Sequence, residues 1–269
     1  ARHSSLPPGR DRAAVAMRRF AGDIEHGSTG EIEMEPMNGK ERPRSQPLVL
    51  AEPDVRAGFA RKVYGILSAQ LLVTTLIAGI MVHSGRQWLH SNPSVVMGVV
   101  TFSCMMSLGL ACVFACCPEV MRRSPLNYGL LALLTVAEGI LVGFACLQYT
   151  LGSVVLCAGL TSIVVLGLSL YALRTKNDVT SFGPYLFCGL MVLCGTGFLM
   201  TMVASLGLTH NPMFNAMQIL YAAAGALVFS VFIVYDTQMI MGGNHQHEFC
   251  VDDYAMAAIC LYLDIIQLF

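Results

Sequence analysis

The sequence predicts an all-α membrane protein: a bundle of seven transmembrane helices preceded by a disordered tail. Three observations lead there. Hydrophobic residues make up 55% of the chain and charged residues 12%, with a mean hydropathy of +0.62, a balance outside that of soluble domains. Charge is crowded at the N-terminal end, where residues 1–62 hold 11 of the 16 Lys and Arg and 9 of the 17 acids. What remains is a series of apolar segments separated by short polar connectors. A formal net charge of −1 gives no case for a nucleic-acid partner.

Residues 1–54 carry Pro7, Pro8, Pro36, Pro43, Pro47 and Pro53 among Gly, Ser and charges of both signs. Such a stretch cannot bury a core, which predicts a disordered tail over 1–54 and a membrane domain over 55–269. RAAVAMRRF at 12–20 has too little apolar surface for a membrane anchor. The first residue is Ala, so either the initiator is expected to be missing or the chain to be cut. With no apolar stretch in the first sixty residues, no cleavable signal peptide is expected.

Apolar segments follow at 63–83, 94–117, 126–148, 152–173, 185–208, 215–241 and 254–269. The first six run to 21–27 residues, enough to cross a ~30 Å hydrocarbon core at ~1.5 Å per residue. They must be helices, because lipid offers no partner to an open backbone. The seventh has 16 residues before the chain stops at LDIIQLF, which reads as a truncated last helix. With the tail inside, the cytosolic side collects 15 basic residues, including Arg122, Arg123, Arg174 and Lys176, and the opposite side only Arg86. The positive-inside rule therefore predicts a cytosolic N-terminus. Small residues at 222–226 and at Gly159, Gly167, Gly189, Gly195 and Gly197 predict close helix approaches. The ten cysteines have no zinc-finger spacing and read as small packing residues, with Cys112, Cys116 and Cys117 the nearest to a cluster.

Only Glu138, Asp236 and Asp264 are acids well inside the spans. An aspartate at the centre of a membrane helix costs roughly 2.5–3.5 kcal/mol on insertion scales, so such residues are kept mainly for use. Counting from the helix ends puts Asp236 roughly 7–8 Å and Asp264 roughly 15 Å from the cytosolic edge. Consecutive antiparallel helices would let them meet. A meeting has two outcomes. The carboxyls share a proton, since like charges in contact cannot both stay ionised, and form a pH switch; or both ionise around a hard cation such as calcium. Arg122 and Arg123, at the cytosolic end of the second helix, are candidate counter-charges. Glu138, deeper in the third helix, either lines the same path or packs as a protonated acid. His245, His247, Glu248, Asp252 and Asp253 read as a solvated loop or a weak metal or pH-sensing patch. Asp178 reads as a loop or cap residue.

Four stretches carry a family resemblance. They are VRAGFARKVYGILSAQLLVTT at 55–75, SPLNYGLLALLTVAEGILVG at 124–143, SLYALRTKNDVTSFG at 169–183, and VYDTQMIMGGNHQ with DDYAMAAICLYLDIIQLF at 234–246 and 252–269. Together they resemble the transmembrane Bax inhibitor motif family in its Lifeguard-like branch. The aspartate spacing of VYDTQ and LYLDII is the most specific part. The resemblance implies a seven-helix bundle with the last helix central. It also implies a pH-gated calcium leak in intracellular membranes, endoplasmic reticulum or Golgi, or else the plasma membrane, and a cell-death-suppressing role. Asp236 and Asp264 would be the pH sensor, Arg122 their contact when closed, and Glu138 a family acid. The connector NHQHEFCVDDY departs from the family's usual Lys-bearing stretch.

The leading expectation is thus a pH-sensitive calcium leak channel. Membrane lipid, calcium ions and protons are its partners; calcium is a permeant or bound ion, and no resident cofactor is expected. The alternative is a non-conducting scaffold for apoptosis-regulating or calcium-channel proteins, using the tail and the last connector. No enzyme is expected. A receptor would put its N-terminus outside, a zinc hydrolase needs His ligands on the helices, and the Gly-rich motifs of an aspartyl intramembrane protease are absent.

Overall fold

A computed structural model describes Leu48 and residues 51–122, 125–175, 177–207, 212–242 and 249–269. The side chains of 84–90, 115 and 118 are outside that description, as are the tail residues 1–47.

The described chain is helical: α1 (Pro53–Ser91), α2 (Pro93–Cys116), α3 (Leu126–Leu147), α4 (Leu151–Arg174), α5 (Gly183–Ser205), α6 (Pro212–Met241) and α7 (Tyr254–Leu268). A single turn, Pro118–Met121, follows α2, and a 3-10 turn, Thr180–Phe182, precedes α5. Six of these helices are long and apolar enough to cross a membrane. The last has 15 residues, about 22 Å at the helical rise, short of a ~30 Å core. Proline at the first turn starts α2 and α5 without losing a needed N–H, and the Thr150 hydroxyl caps α4 by accepting the Ser153 N–H.

Two boundaries differ from the sequence reading. α1 begins ten residues before the apolar run, because Phe59, Ala60 and Val63 form a buried stripe while Arg61 and Lys62 face out. Amphipathic turns of that kind are invisible to a search for continuous apolar residues. Leu48, assigned to the tail, is fully buried against the α1, α6 and α7 core, and its N–H donates to the Phe249 carbonyl at 3.1 Å.

Two packed clusters hold the bundle. One joins α1, α6 and α7 through Val63, Leu67, Ile233, Ile240, Ala258 and Leu261. The other joins α2, α3 and α7 through Leu110, Phe114, Leu131, Leu134 and Ile259. Helix α7 feeds both. Large apolar residues elsewhere on α2, α4, α5 and α6 face outward, as they must when the solvent is lipid. Close helix approach occurs where α3 crosses α1. A Cβ at Gly139 would stand 2.9 Å from Ile77 Cδ1, and one at Gly143 would stand 3.2 Å from Ala78 Cα. Of the small residues singled out by sequence, Gly189 faces Val228 and Gly197 faces Tyr221, while Gly159, Gly167 and Gly195 meet nothing. The cysteines also depart from expectation. Only Cys146 is buried, and Cys104, Cys112, Cys116, Cys117, Cys188 and Cys194 are exposed. A small apolar residue suits a lipid-facing surface as well as a core, so composition alone cannot place it.

Candidate functional site

Asp236 lies on the inward stripe of α6, with Ile233, Thr237 and Ile240, and Asp264 on the inward stripe of α7, with Leu261 and Ile265. The structure brings the two carboxyls close enough to interact directly. Both are buried, at 6% and 8% exposure. Two carboxylates offer only acceptors, so the contact is a hydrogen bond only when one carboxyl keeps its proton and donates it. Asp264 Oδ2 is left buried without a hydrogen-bond partner. Cys260, one turn before Asp264, lies close to both carboxyls.

Two residues after Asp236, the buried Gln238 side chain ties α6 to the α4–α5 connector. Its Nε2 donates to the Asn177 carbonyl at 2.9 Å, and its Oε1 accepts the Val179 N–H at 2.8 Å. Asp178 stiffens the same connector by accepting from the Thr180 N–H at 2.9 Å and from the Thr180 hydroxyl. The VYDTQ stretch thus does two jobs on neighbouring faces of one helix.

Arg122 is a correction to the sequence reading. Its guanidinium does not contact the aspartate pair. It grips Asp253, with Nε to Oδ1 at 2.6 Å and a second nitrogen to Oδ2 at 2.9 Å. Asp253 occupies the N-cap position of α7, with no side-chain bond to the helix N–H groups, and accepts the Cys250 N–H at 3.1 Å. It lies eleven residues before Asp264, about 16 Å along the helix, too far for one guanidinium to serve both. The Asp253 hydrogen bond pushes the Arg122 pKa further above its ordinary value. Beside it, Lys62 Nζ stands 3.2 Å over the Tyr254 ring, and Asn127 donates to the Tyr254 hydroxyl at 3.1 Å. Arg123, His245, His247 and Glu248 lie outside the described residues.

Glu138 accepts from the Ser107 hydroxyl across α2 and α3. It borders a cavity of about 560 Å³ between α3, α4 and the end of α7, where Ser153, Cys157 and Gln267 also point. Neutral polar groups that the sequence reading passed over fill the interior nearby. Gln70 Nε2 donates to Thr135 Oγ1 at 3.1 Å, and the Thr74 and Tyr262 hydroxyls meet at 2.7 Å. All four are buried, and Gln70 Oε1 lacks a partner. Their spacing was the available signal: Gln70 and Thr74 are i, i+4, and Thr135 and Glu138 i, i+3, each pair on one helix face. Polar groups on an apolar helix find partners across the bundle. Among the described residues, no three His, Cys, Asp or Glu side chains converge as a metal site. The carboxyl pair alone supplies fewer oxygens than the 6–8 that calcium takes when held.

An all-α, multi-pass membrane protein with its acids turned into the bundle is the class these features define. Residues 56–269 match the family model described as "Inhibitor of apoptosis-promoting Bax1". Among curated relatives, the chain is 37% identical over 221 residues to Protein lifeguard 4 of Mus musculus, covering 81% of this chain and 84% of that one. It is 34% identical over 236 residues to Protein lifeguard 3 of Homo sapiens, covering 86% and 73%. It is 36% identical over 228 residues to the BI1-like protein of Arabidopsis thaliana, covering 82% and 81%. The chain belongs to the Bax inhibitor motif family, in its Lifeguard-like branch.

Proposed function

We propose that this protein is a pH-sensitive cation leak, with calcium as the permeant ion, in which Asp236 and Asp264 form a proton-operated latch. The observation that carries the reading is the buried contact of the two carboxyls between α6 and α7. With one proton between them, the pair joins the helices. Loss of that proton leaves two negative charges, whose repulsion at about 4 Å amounts to roughly 4 kcal/mol at an effective dielectric of about 20. The contact loosens, and the freed oxygens become attractive to a hard cation. Proton and calcium thus compete for one place, and acid lowers the flux.

Glu138, with Gln70, Thr74, Thr135 and Tyr262, lines the deeper part of the path in this reading. Helix α7 is the central, seventh span. The 15 basic residues on the N-terminal side support a cytosolic N-terminus. The family's printed description supports a role in suppressing cell death; action through calcium homeostasis, in endoplasmic reticulum or Golgi membranes, is part of the proposal.

The test is calcium flux into liposomes carrying the purified protein. Wild type should conduct more as pH rises from about 6 to 8, and Asp236→Asn and Asp264→Asn should each flatten that response. Flux and pH profile unchanged in both variants would remove the latch. No conduction at all, with cell protection lost on deletion of the N-terminal tail, would favour a non-conducting scaffold.

A further inference from the structure

We infer that the cysteines ending α2 are an S-acylation site, taking a long-chain fatty acyl group on Cys116 or Cys117, with Cys112 as a third acceptor. The inference rests on the orientation above, which puts this end of α2 on the cytosolic face. Three independent observations carry it. First, position: Cys116 is the last residue of α2 and Cys117 its C-cap, so both thiols lie at the very end of this apolar helix. Second, exposure: all three thiols are free and exposed, unlike the inward residues Ser103, Leu110 and Phe114 of the same helix. Third, direction: Cys112 and Cys116 continue an outward stripe with Met105 and Leu108, at 65% and 59% exposure. An acyl chain attached there would lie down that stripe into lipid, losing no protein contact on attachment. Juxtamembrane cysteines of this kind are reversible acylation sites, and each buried methylene of the chain contributes about 0.8 kcal/mol to anchoring.

The chemistry is a thioester exchange with a long-chain acyl-coenzyme A. The cysteine sulfur bonds to the acyl carbonyl carbon, the bond from that carbon to the coenzyme sulfur breaks, and the cysteine proton leaves on the released thiol. No electron is gained or lost. Arg122 and Arg123 follow the thiols within a few residues in sequence, a basic stretch suited to an anionic leaflet. Cys104 faces lipid too, but twelve residues before Cys116 it lies about 18 Å deeper, beyond reach of a cytosolic donor. The same helix thus carries its own control.

The experiment feeds cells expressing the full chain an alkyne-bearing C16 fatty acid and reads label on the purified protein before and after hydroxylamine, which cleaves thioesters. Wild type and Cys104→Ser should carry hydroxylamine-labile label. The triple variant Cys112→Ser/Cys116→Ser/Cys117→Ser should lose it at least tenfold while eluting as the same monodisperse species. Absence of labile label on wild type, or label retained in the triple variant, overturns the inference. A membrane-impermeant maleimide applied to sealed vesicles, cytosolic face out, separates the two readings. Thiols that react there but are never acylated refute acylation alone; thiols protected until the membrane is opened refute the orientation with it.

Discussion

The Arg122–Asp253 bridge predicts a measurable coupling at one end of α7 that leaves the chemistry at Asp264 alone. The bond is bidentate, which puts it among the stronger charged contacts. Arg122 is 40% exposed and Asp253 16%, so water screens it and the coupling should be about 1 kcal/mol, the upper part of the range for surface pairs. Asp253→Ala should cost more, about 2 kcal/mol, because the Cys250 N–H also loses its acceptor. Arg122→Ala should cost about 1 kcal/mol. Arg122→Lys keeps the charge but not the fork, and should recover less than half. Unfolding of the purified protein in mixed micelles, run as a double-mutant cycle at low and high salt, measures these terms, and the coupling should shrink as salt rises. The same variants separate two roles for Arg122. If its work is done through Asp253, Arg122→Ala leaves the pH midpoint of calcium flux in place. A coupling indistinguishable from zero at low salt refutes the bridge. A pH midpoint that moves with Arg122→Ala but not with Asp253→Ala would mean that the guanidinium serves the aspartate pair after all.

Gln238→Leu removes both bonds to the α4–α5 connector and should cost about 2 kcal/mol, with amide exchange rising at Val179 well before the α6 core; unchanged exchange there would show that the tether holds nothing. Gly143→Ala presses a methyl against the Ala78 backbone and should destabilise by about 1–3 kcal/mol, whereas Gly159→Ala, in open space, should be neutral or slightly stabilising; equal effects would contradict the α1–α3 approach. Tyr262→Phe removes one bond to the Thr74 hydroxyl, which keeps its bond to the Gln70 carbonyl, and should cost about 1 kcal/mol, read in the same micelle unfolding assay; no loss would show that the Thr74–Tyr262 contact holds nothing.

The helices were legible in sequence because a membrane imposes a length and a single backbone solution. Asp236 and Asp264 were legible because a charge in an apolar run has so few innocent explanations. Other features left weaker marks. The start of α1 at Pro53 is amphipathic, and its inward residues are diluted by Arg and Lys. Arg122 was read toward the aspartate pair, where the structure pairs it with Asp253, because charge counting gives the side of the membrane a residue occupies, not which acid it faces. Asp253, one residue before α7, looked like solvated loop because its partner is 131 positions away. Gln70, Thr74, Thr135 and Tyr262 were passed over because neutral polar residues barely disturb hydropathy. Only their spacing marks them as one interior surface. Cysteine placement was illegible altogether, since the same residue type serves core and lipid face.

The central claim is that Asp236 and Asp264 share one proton whose loss opens a cation path. An infrared titration of the purified protein in lipid, run beside calcium flux on the same preparation, tests it most directly. The account predicts a protonated-carboxyl band that fades as pH rises, over the window in which flux increases, and that changes in both Asp236→Asn and Asp264→Asn. A band that persists through the rise in flux, or one untouched by either substitution, would contradict it.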